Sequence, residues 1–357
     1  MNPIQQFHRL LELPNVALRE VIKRMGPMDI IPLALCSNRM RSIVRYNMKM
    51  DPKMSFLVNG YEKSSIITYN HSLDYWNEIE VFPRSKMESG KVHETVNVLD
   101  FHVQFLQEER GRYASRIILF WDDEELGMKK LIEFLCDIYR YQRVDELWMM
   151  KKTKWLMEFI ETIQGPSTYI ASIKADDDWT DDELRAVLMD FHPKGLRFFA
   201  VPPSTTFEIP SFRNKNYNLC LVHGSWFTLE NVFQLQCECL NLIETTFTNK
   251  QINEFIKYWI SGGLPKLKWF SVRIGQVNVP EMLMDIRTRV FREPRHFKME
   301  GEQEQLFNGG YMIEHGGVQA VFKIAYHARR RFEFCIGSKR IPQDKIPFYA
   351  PYFKIFQ

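Results

Sequence analysis

LPNVALREVIKRMGPMDIIPLALCSNRMRSIV, residues 13–44, holds three successive helical patterns. Pro14 suits a first helical position, because its φ is already set and it has no N–H to leave unsatisfied. Leu18, Val21, Ile22 and Met25 follow at i, i+3, i+4 and i+7, one stripe of a helix. Gly26-Pro27 stops that helix, since Gly fits the position just past a helix end and Pro cannot continue it. Asp29 is placed to cap a second helix, with Pro32 tolerated in its first turn. Ile30, Ile31, Leu33, Ala34, Leu35 and Cys36 make this helix apolar on nearly every side. Ser37 or Asn38 can start a third, carrying Met40, Ile43 and Val44. A unit of about 32 residues buries too little surface to enclose so many apolar side chains by itself. The surplus must be covered by the rest of the chain or by another protein.

With that order of residues the stretch resembles an F-box. The family pattern runs Leu-Pro, an apolar helix, Asp before an apolar run, then a small, a basic and a bulky residue. Here these are Leu13-Pro14, Leu18 to Met25, Asp29-Ile30, and Cys36-Ser37-Asn38-Arg39-Met40. Met40 departs from it, since many members carry Trp or Phe there. Met fills irregular gaps readily, which implies a softer contact.

Outward from this stretch the chain has the composition of an ordinary soluble globular protein, 45% hydrophobic and 25% charged over 357 residues. That length suits two or three domains. Forty-seven basic and 44 acidic side chains leave a net charge of +3. A balance so close gives no push toward nucleic acid or an anionic membrane. Apolar runs such as Ile117 to Trp121 are far short of a membrane span. MNPIQQFHRL lacks a basic segment followed by an apolar core, so no signal peptide is expected. The six scattered cysteines are then expected reduced, in the cytoplasm or nucleus.

After a polar boundary closed by Pro52 the period changes. Residues 54–58, 66–69 and 76–81 are short β-prone runs, the strands of a small antiparallel sheet. Thr95 to Glu109 is expected to be helical. From about residue 113, strand-like runs recur, centred on Leu119, Trp148, Ile173, Phe199, Leu221, Leu242 and Phe270, at steps of 29, 25, 26, 22, 21 and 28. Amphipathic helices stand between most of them, at 131–138, 156–163, 184–191 and 252–259. Thr180-x-x-Glu183 and Thr248-x-x-Gln251 are capping boxes. Gly165, Gly195 and Gly262 sit just past helix ends. This is the leucine-rich-repeat period, in which units stack and their strands form a parallel sheet. A non-repetitive α/β domain is the alternative, favoured by the missing strict consensus and by Pro202 to Lys215, a Pro-rich loop where a helix is due. Beyond Pro280, Met282 to Arg292 is expected helical, and 317–328 with 331–336 a β-hairpin capping the stack. The aromatic tail Ile346 to Phe356 would be a liability unless docked on the body.

Trp226-Phe227-Thr228-Leu229-Glu230-Asn231 and Lys257-Tyr258-Trp259-Ile260-Ser261-Gly262-Gly263, followed by Pro265-Lys266-Leu267, resemble the type-2 F-box-associated domain, a family greatly expanded in nematodes. The likeness covers about 205–275. The two resemblances come in the order that family uses.

Other constellations carry less. Cys237-x-Cys239 puts two thiols on opposite faces of a strand, without the four converging ligands zinc needs. Gly262-Gly263-Leu264-Pro265-Lys266 lacks phosphate-loop spacing and is explained as a helix end. Asp176-Asp177-Asp178 with Asp181-Asp182-Glu183 surrounds a helix start, where carboxylates are favoured electrostatically. No nucleophile elbow or zinc-protease motif occurs, and no catalysis or cofactor is expected. Arg329-Arg330-Arg331, with His327 and Phe332, is the one basic concentration; a solvated hairpin turn or a contact to an acidic partner suits it better than nucleic acid.

The expected architecture is therefore α/β: a three-helix F-box at 1–50, a β-rich connecting region at 51–112, an irregular leucine-rich-repeat-like strand/helix stack at 113–280, and a helix with a β-hairpin cap at 281–357. The resemblances imply a substrate receptor of an SCF-type (cullin–RING) ubiquitin ligase. Its F-box would dock on a Skp-family adaptor and through it a cullin, and its C-terminal part would bind a target protein. Leu13, Pro14, Leu18, Val21, Ile22, Ile30, Leu33, Leu35, Met40 and Ile43 are the candidates for adaptor contact or for the packing behind it, with Met25 and Cys36 facing inward. Burying one such side chain contributes about 1.5–3 kcal/mol, from which association entropy takes a large share. The alternative is a scaffold, outside any ligase, whose residues 10–46 pack back on the body. Were Leu18, Ile22, Leu33 and Leu35 sealed inside this chain with no outward apolar face left, the receptor expectation would fail.

Overall fold

The computed structural model describes residues 10, 12–48, 54–61, 63–70, 75–88, 93–109, 114–140, 143–165, 169–174, 179–202, 204, 207–209, 218–297, 305–325, 330–337 and 339–340. The chain gathers into two compact units, Met1–Lys174 and Ala175–Gln357. Their division falls inside the stretch expected to form one repeat stack.

The first unit opens with three helices, α1 (Asn15–Arg24), α2 (Pro27–Leu35) and α3 (Asn38–Asn47). Pro14 stands at the N-cap of α1, one residue before the expected place. Pro27 starts α2, capped by Gly26, so Asp29 lies within the first turn. There it favours the helix through the dipole and not as a cap. Ser37 caps α3, its Oγ accepting from the Met40 N–H at 3.1 Å.

β1 (Met54–Gly60), β2 (Ser64–Asn70) and β3 (Tyr75–Pro83) form the expected antiparallel meander. Residues 95–109 are not a helix. They form most of a hairpin, β4 (Glu94–Val98) and β5 (Phe101–Glu109). Val96, Val98, Val103 and Phe105 are buried at every second position, and Leu99 takes φ +54° in the turn. A period of two here prevails over helix propensity. β6 (Ala114–Trp121) pairs parallel with β3 and antiparallel with β5. α4 (Glu124–Tyr139), capped by Asp123, leads to β7 (Glu146–Met149), which pairs parallel with β1. α5 (Trp155–Gln164) leads to β8 (Ile170–Ile173), parallel to β7. The order is therefore β8-β7-β1-β2-β3-β6-β5-β4. β6 and β7 are not neighbours, contrary to a simple stack, because β1 to β3 stand between them. α4 and α5 cover one face, where Phe56 meets Tyr139 at 5.4 Å and Thr153 Oγ1 donates to Gly60 O at 2.9 Å.

In the second unit β9 (Gly195–Phe198), β10 (Asn218–Leu221), β11 (Cys239–Phe247) and β12 (Trp269–Ile274) run parallel as neighbours. α6 (Asp181–Asp190), α7 (Leu229–Gln234) and α8 (Asn249–Ile260) connect or precede them, and both expected capping boxes form. Gly262 takes φ +92° past α8, whereas Gly195 begins a strand instead of ending a helix. The chain then makes a short helix, α9 (Val279–Met282), and a strand, β13 (Arg289–Phe291), in place of one helix over 282–292. β14 (Arg295–Phe297) and β15 (Gln305–Phe307) join β19 (Lys339–Arg340) in a separate small sheet. β16 (Gly310–His315), β17 (Val318–Ala325) and β18 (Arg331–Ile336) form an antiparallel set, and β18 pairs antiparallel with β12. The expected hairpin is thus β17–β18. The tail at 346–356, Asp176 to Asp178, and His327 with Arg329 lie outside the described residues.

The second core is aromatic. Phe255 of α8 lies 4.4 Å from Phe270 and 5.2 Å from Phe334, and Trp259 lies 5.4 Å from Phe334. Every second strand residue faces these rings, among them Leu240, Leu242, Val272 and Phe332, all fully buried.

Candidate functional site

The three-helix unit sorts the expected site residues into two sets. Leu18 and Ile22 of α1, Ile30, Leu33 and Leu35 of α2, and Met40 of α3 are buried in this chain. α2 packs on α3 and on β4, and α3 on α4. The apolar surplus of α2 is therefore covered largely from within. Val21 and Ile43 are half-buried, as are Met25 and Cys36, which were expected inside. Leu13 and Pro14 are exposed. Burial pushes the Cys36 thiol up to about 11, helped by the Glu94 carboxylate.

An outward apolar face remains, built partly by residues that helical periodicity passes over. Val16 is 75% exposed and Tyr46 70% exposed, and the Arg19 guanidinium lies 5.2 Å from the centre of the Tyr46 ring. Leu13 is 36% exposed. Val16 lies on the polar side of α1 and Tyr46 two residues past Val44, so both fall off the core stripes. An apolar residue out of phase was the available signal.

On the sheet face opposite α4 and α5, Glu80 is fully buried. It takes Arg116 in a bidentate pair, at 2.5 and 2.9 Å, and Lys63 at 2.8 Å. Glu78 accepts from Lys63 at 3.1 Å and from Ser65 Oγ at 3.2 Å. Beside them Tyr61 stacks on Trp148 at 5.5 Å, and the Trp148 indole N–H donates to Glu146 at 2.8 Å. These ions satisfy one another, as a structural network does.

In the second unit the motif residues prove to carry the fold. Trp226 packs edge-on to Phe207 at 4.9 Å. Thr228 and Asn231 cap α7 reciprocally, and Asn231 Nδ2 donates to Ile209 O at 3.1 Å. Tyr258 lies 4.1 Å from Phe233, and a Cβ on Gly263 would come within 2.3 Å of the Tyr258 ring. Asn253 Nδ2 donates to Met282 O and Met284 O at 3.0 and 2.9 Å, a tie with no sequence signature. Cys237 and Cys239 are buried, and burial pushes the Cys237 thiol up to about 12. Among the described residues no cluster of three or more His, Cys, Asp or Glu could hold a metal. No described helix is long and apolar enough to cross a membrane.

Of the basic triplet, Arg331 is not in a turn. It lies in β18, its Nε and Nη2 donating to Ser271 Oγ at 3.0 and 2.8 Å, and Nη2 also to Leu242 O at 3.2 Å and to Asn241 Oδ1.

Residues 10–50 match the family model described as F-box domain, and residues 208–272 the one described as F-box associated. The first match spans α1 to α3, the second α7, β10, β11, α8 and most of β12. E3 ubiquitin-protein ligase hecw-1 of Caenorhabditis elegans is 33% identical over 70 residues, 19% of this chain and 6% of that protein. The chain thus spans only a small fraction of that relative. Skn-1 dependent zygotic transcript 15 protein, from the same organism, is 18% identical over 291 residues, 78% of this chain and 83% of that protein. No solved structure matches significantly.

Proposed function

We propose that this chain is the substrate-recognition subunit of an SCF-type (cullin–RING) ubiquitin ligase, a receptor without catalytic chemistry of its own. Its F-box docks on a Skp-family adaptor, which brings the cullin. The second unit, with the F-box-associated match, holds the target protein. We also read its strand and helix succession as an irregular leucine-rich-repeat-like stack.

The observation that carries this is the F-box match over three helices that keep an apolar outward face. Leu13, Pro14, Val16, Val21, Ile43 and Tyr46 supply that face. Leu18, Ile22, Ile30, Leu33, Leu35 and Met40 supply the packing behind it. Co-expression with the adaptor tests it: the two should leave a sizing column together. A chain that elutes alone and monodisperse beside excess adaptor would sink the proposal.

One observation favours the alternative, a protein-interaction scaffold outside any ligase. Leu18, Ile22, Leu33 and Leu35 are all sealed within this chain, so half of the condition that would exclude the receptor is met. Val16 and Tyr46 are the reason it is not met in full.

A further inference from the structure

We propose that the cleft outside the carboxyl ends of β11 and β12 receives a short extended segment of the target, one that carries an acidic and a basic side chain a few residues apart. This rests on the receptor reading and names the chemistry of its substrate.

β11 ends at Phe247, and Thr248 caps α8, which starts at Asn249. β12 ends at Ile274, and the chain then runs through Gly275 to Asn278, the N-cap of α9. The two connections are tied together. The Asn278 N–H donates to Asn249 Oδ1 at 3.0 Å, and Asn278 Oδ1 accepts from the Glu281 N–H at 3.3 Å. Arg330 joins them: its carbonyl accepts from the Ile274 N–H at 3.0 Å, and its Nη1 donates to Gly275 O at 3.3 Å. Together they border an open cleft of about 680 Å³, within the roughly 300–1,000 Å³ of ordinary ligand sites. It stands at the end of the strands where open α/β sheets gather ligands.

The groups that line the cleft are short of partners. Asn249 is only 9% exposed, yet its Oδ1 alone is engaged, and its Nδ2 donates to nothing among the described residues. The same holds for Asn278 Nδ2 and for the side-chain amide of Gln276. Arg330 and Glu281 line the cleft as well, and among the described residues neither is in an ion pair. A side-chain amide donates and accepts, as each peptide unit of an extended chain does. A guanidinium and a carboxylate without counter-ions in one cleft call for both signs of charge on one ligand. Val277, Val279 and Pro280 add apolar wall. A peptide segment with both charges meets all three demands. Glu281 repels phosphate, which favours such a peptide over the phosphate track of a nucleic acid.

The full chain, co-expressed with a Skp-family adaptor, is titrated into fluorescein-labelled peptides in which Glu and Lys flank an Ala-Val spacer of varied length. Versions with Glu at both ends and with Lys at both ends serve as comparisons. The mixed peptide, at its best spacer, should bind at least about tenfold more tightly than either, and weaken as salt is raised. Arg330→Glu should shift the preference to the Lys peptide and Glu281→Arg to the Glu peptide, each by about tenfold. A misfolded variant could not gain such a preference. No binding of the mixed peptide, like-charged peptides binding as tightly, or variants that keep the original preference overturn the assignment. Single-stranded DNA binding more tightly than the mixed peptide overturns it in favour of nucleic acid. Adaptor capture, read in the same preparation, reports on the receptor reading alone, so the two failures are distinguishable.

Discussion

Arg45, on the third helix, reaches Asp137 of α4 with Nε 3.1 Å from Oδ1, while Arg41 approaches Oδ2 at 3.7 Å. One carboxylate thus ties the three-helix unit to α4. Arg45 is largely exposed, so screening limits such a pair to about 1 kcal/mol or less. Asp137→Ala should leave the fold intact and raise hydrogen exchange in α3 more than in β1 to β3. Equal changes in both would mean that apolar packing alone holds the helices down.

The two sets of F-box residues should fail differently. Val16→Glu with Tyr46→Glu should abolish adaptor capture and leave thermal unfolding of the chain unchanged. Leu33→Ala, at a fully buried position, should cost about 2–5 kcal/mol by opening a cavity, seen as a lower denaturation midpoint. Capture that survives the surface pair would remove the outward face from the interface. Deleting residues 1–46 would be a poorer test than these substitutions, because it would strip cover from β4 and α4.

Glu80 gives the first unit a pH dependence. Burial raises its pKa, but the hydrogen bonds from Arg116 and Lys63 outweigh that and hold the carboxyl below its ordinary value of 4.5. Its contribution is therefore fully present above about pH 4.5 and lost as pH falls through the lower folded value. Glu80→Gln should cost about 3 kcal/mol or less at neutral pH, because Lys63 keeps Glu78 at 3.1 Å and Arg116 keeps Glu108 at 3.0 Å, and progressively less in acid. Urea midpoints at several pH values check this. A cost independent of pH would place the effect in packing and not in charge.

Gly127 lies in the first turn of α4, where a Cβ would come within 2.6 Å of the Trp121 ring and 2.8 Å of Val81. Ala is the better helix former by about 1 kcal/mol. Overpacking here should cost about 1–3 kcal/mol. Gly127→Ala should therefore lower the melting temperature, and a rise would show that the ring can move aside.

Much of this architecture is legible in the sequence because it rests on period. The stripe Leu18, Val21, Ile22, the capping boxes at Thr180 and Thr248, and the strand centres from Trp148 to Phe270 all give local signals. Neighbour identity gives none. The insertion of β1 to β3 between β6 and β7 depends on pairings that no spacing records. The hairpin at 94–109 was obscured by a turn built on Leu99 at positive φ, where Gly or Asn is the usual marker. Burial on α2 was legible, but its source was not: an all-apolar helix looks the same whether a partner or β4 covers it. Arg331 resembles part of a solvated turn because the alternation that lays it across Ser271 begins within the basic run itself.

The antiparallel entry of β18 beside β12 also bears on solubility. A parallel row ending at β12 would leave that strand's N–H and C=O groups free to recruit another chain. β18, β17 and β16 take up that hydrogen-bonding capacity in turn, and the described edge they leave is β13, three residues long. So short a margin offers little template for cross-β growth, which keeps a sheet rich in Phe and Trp from polymerising through that margin.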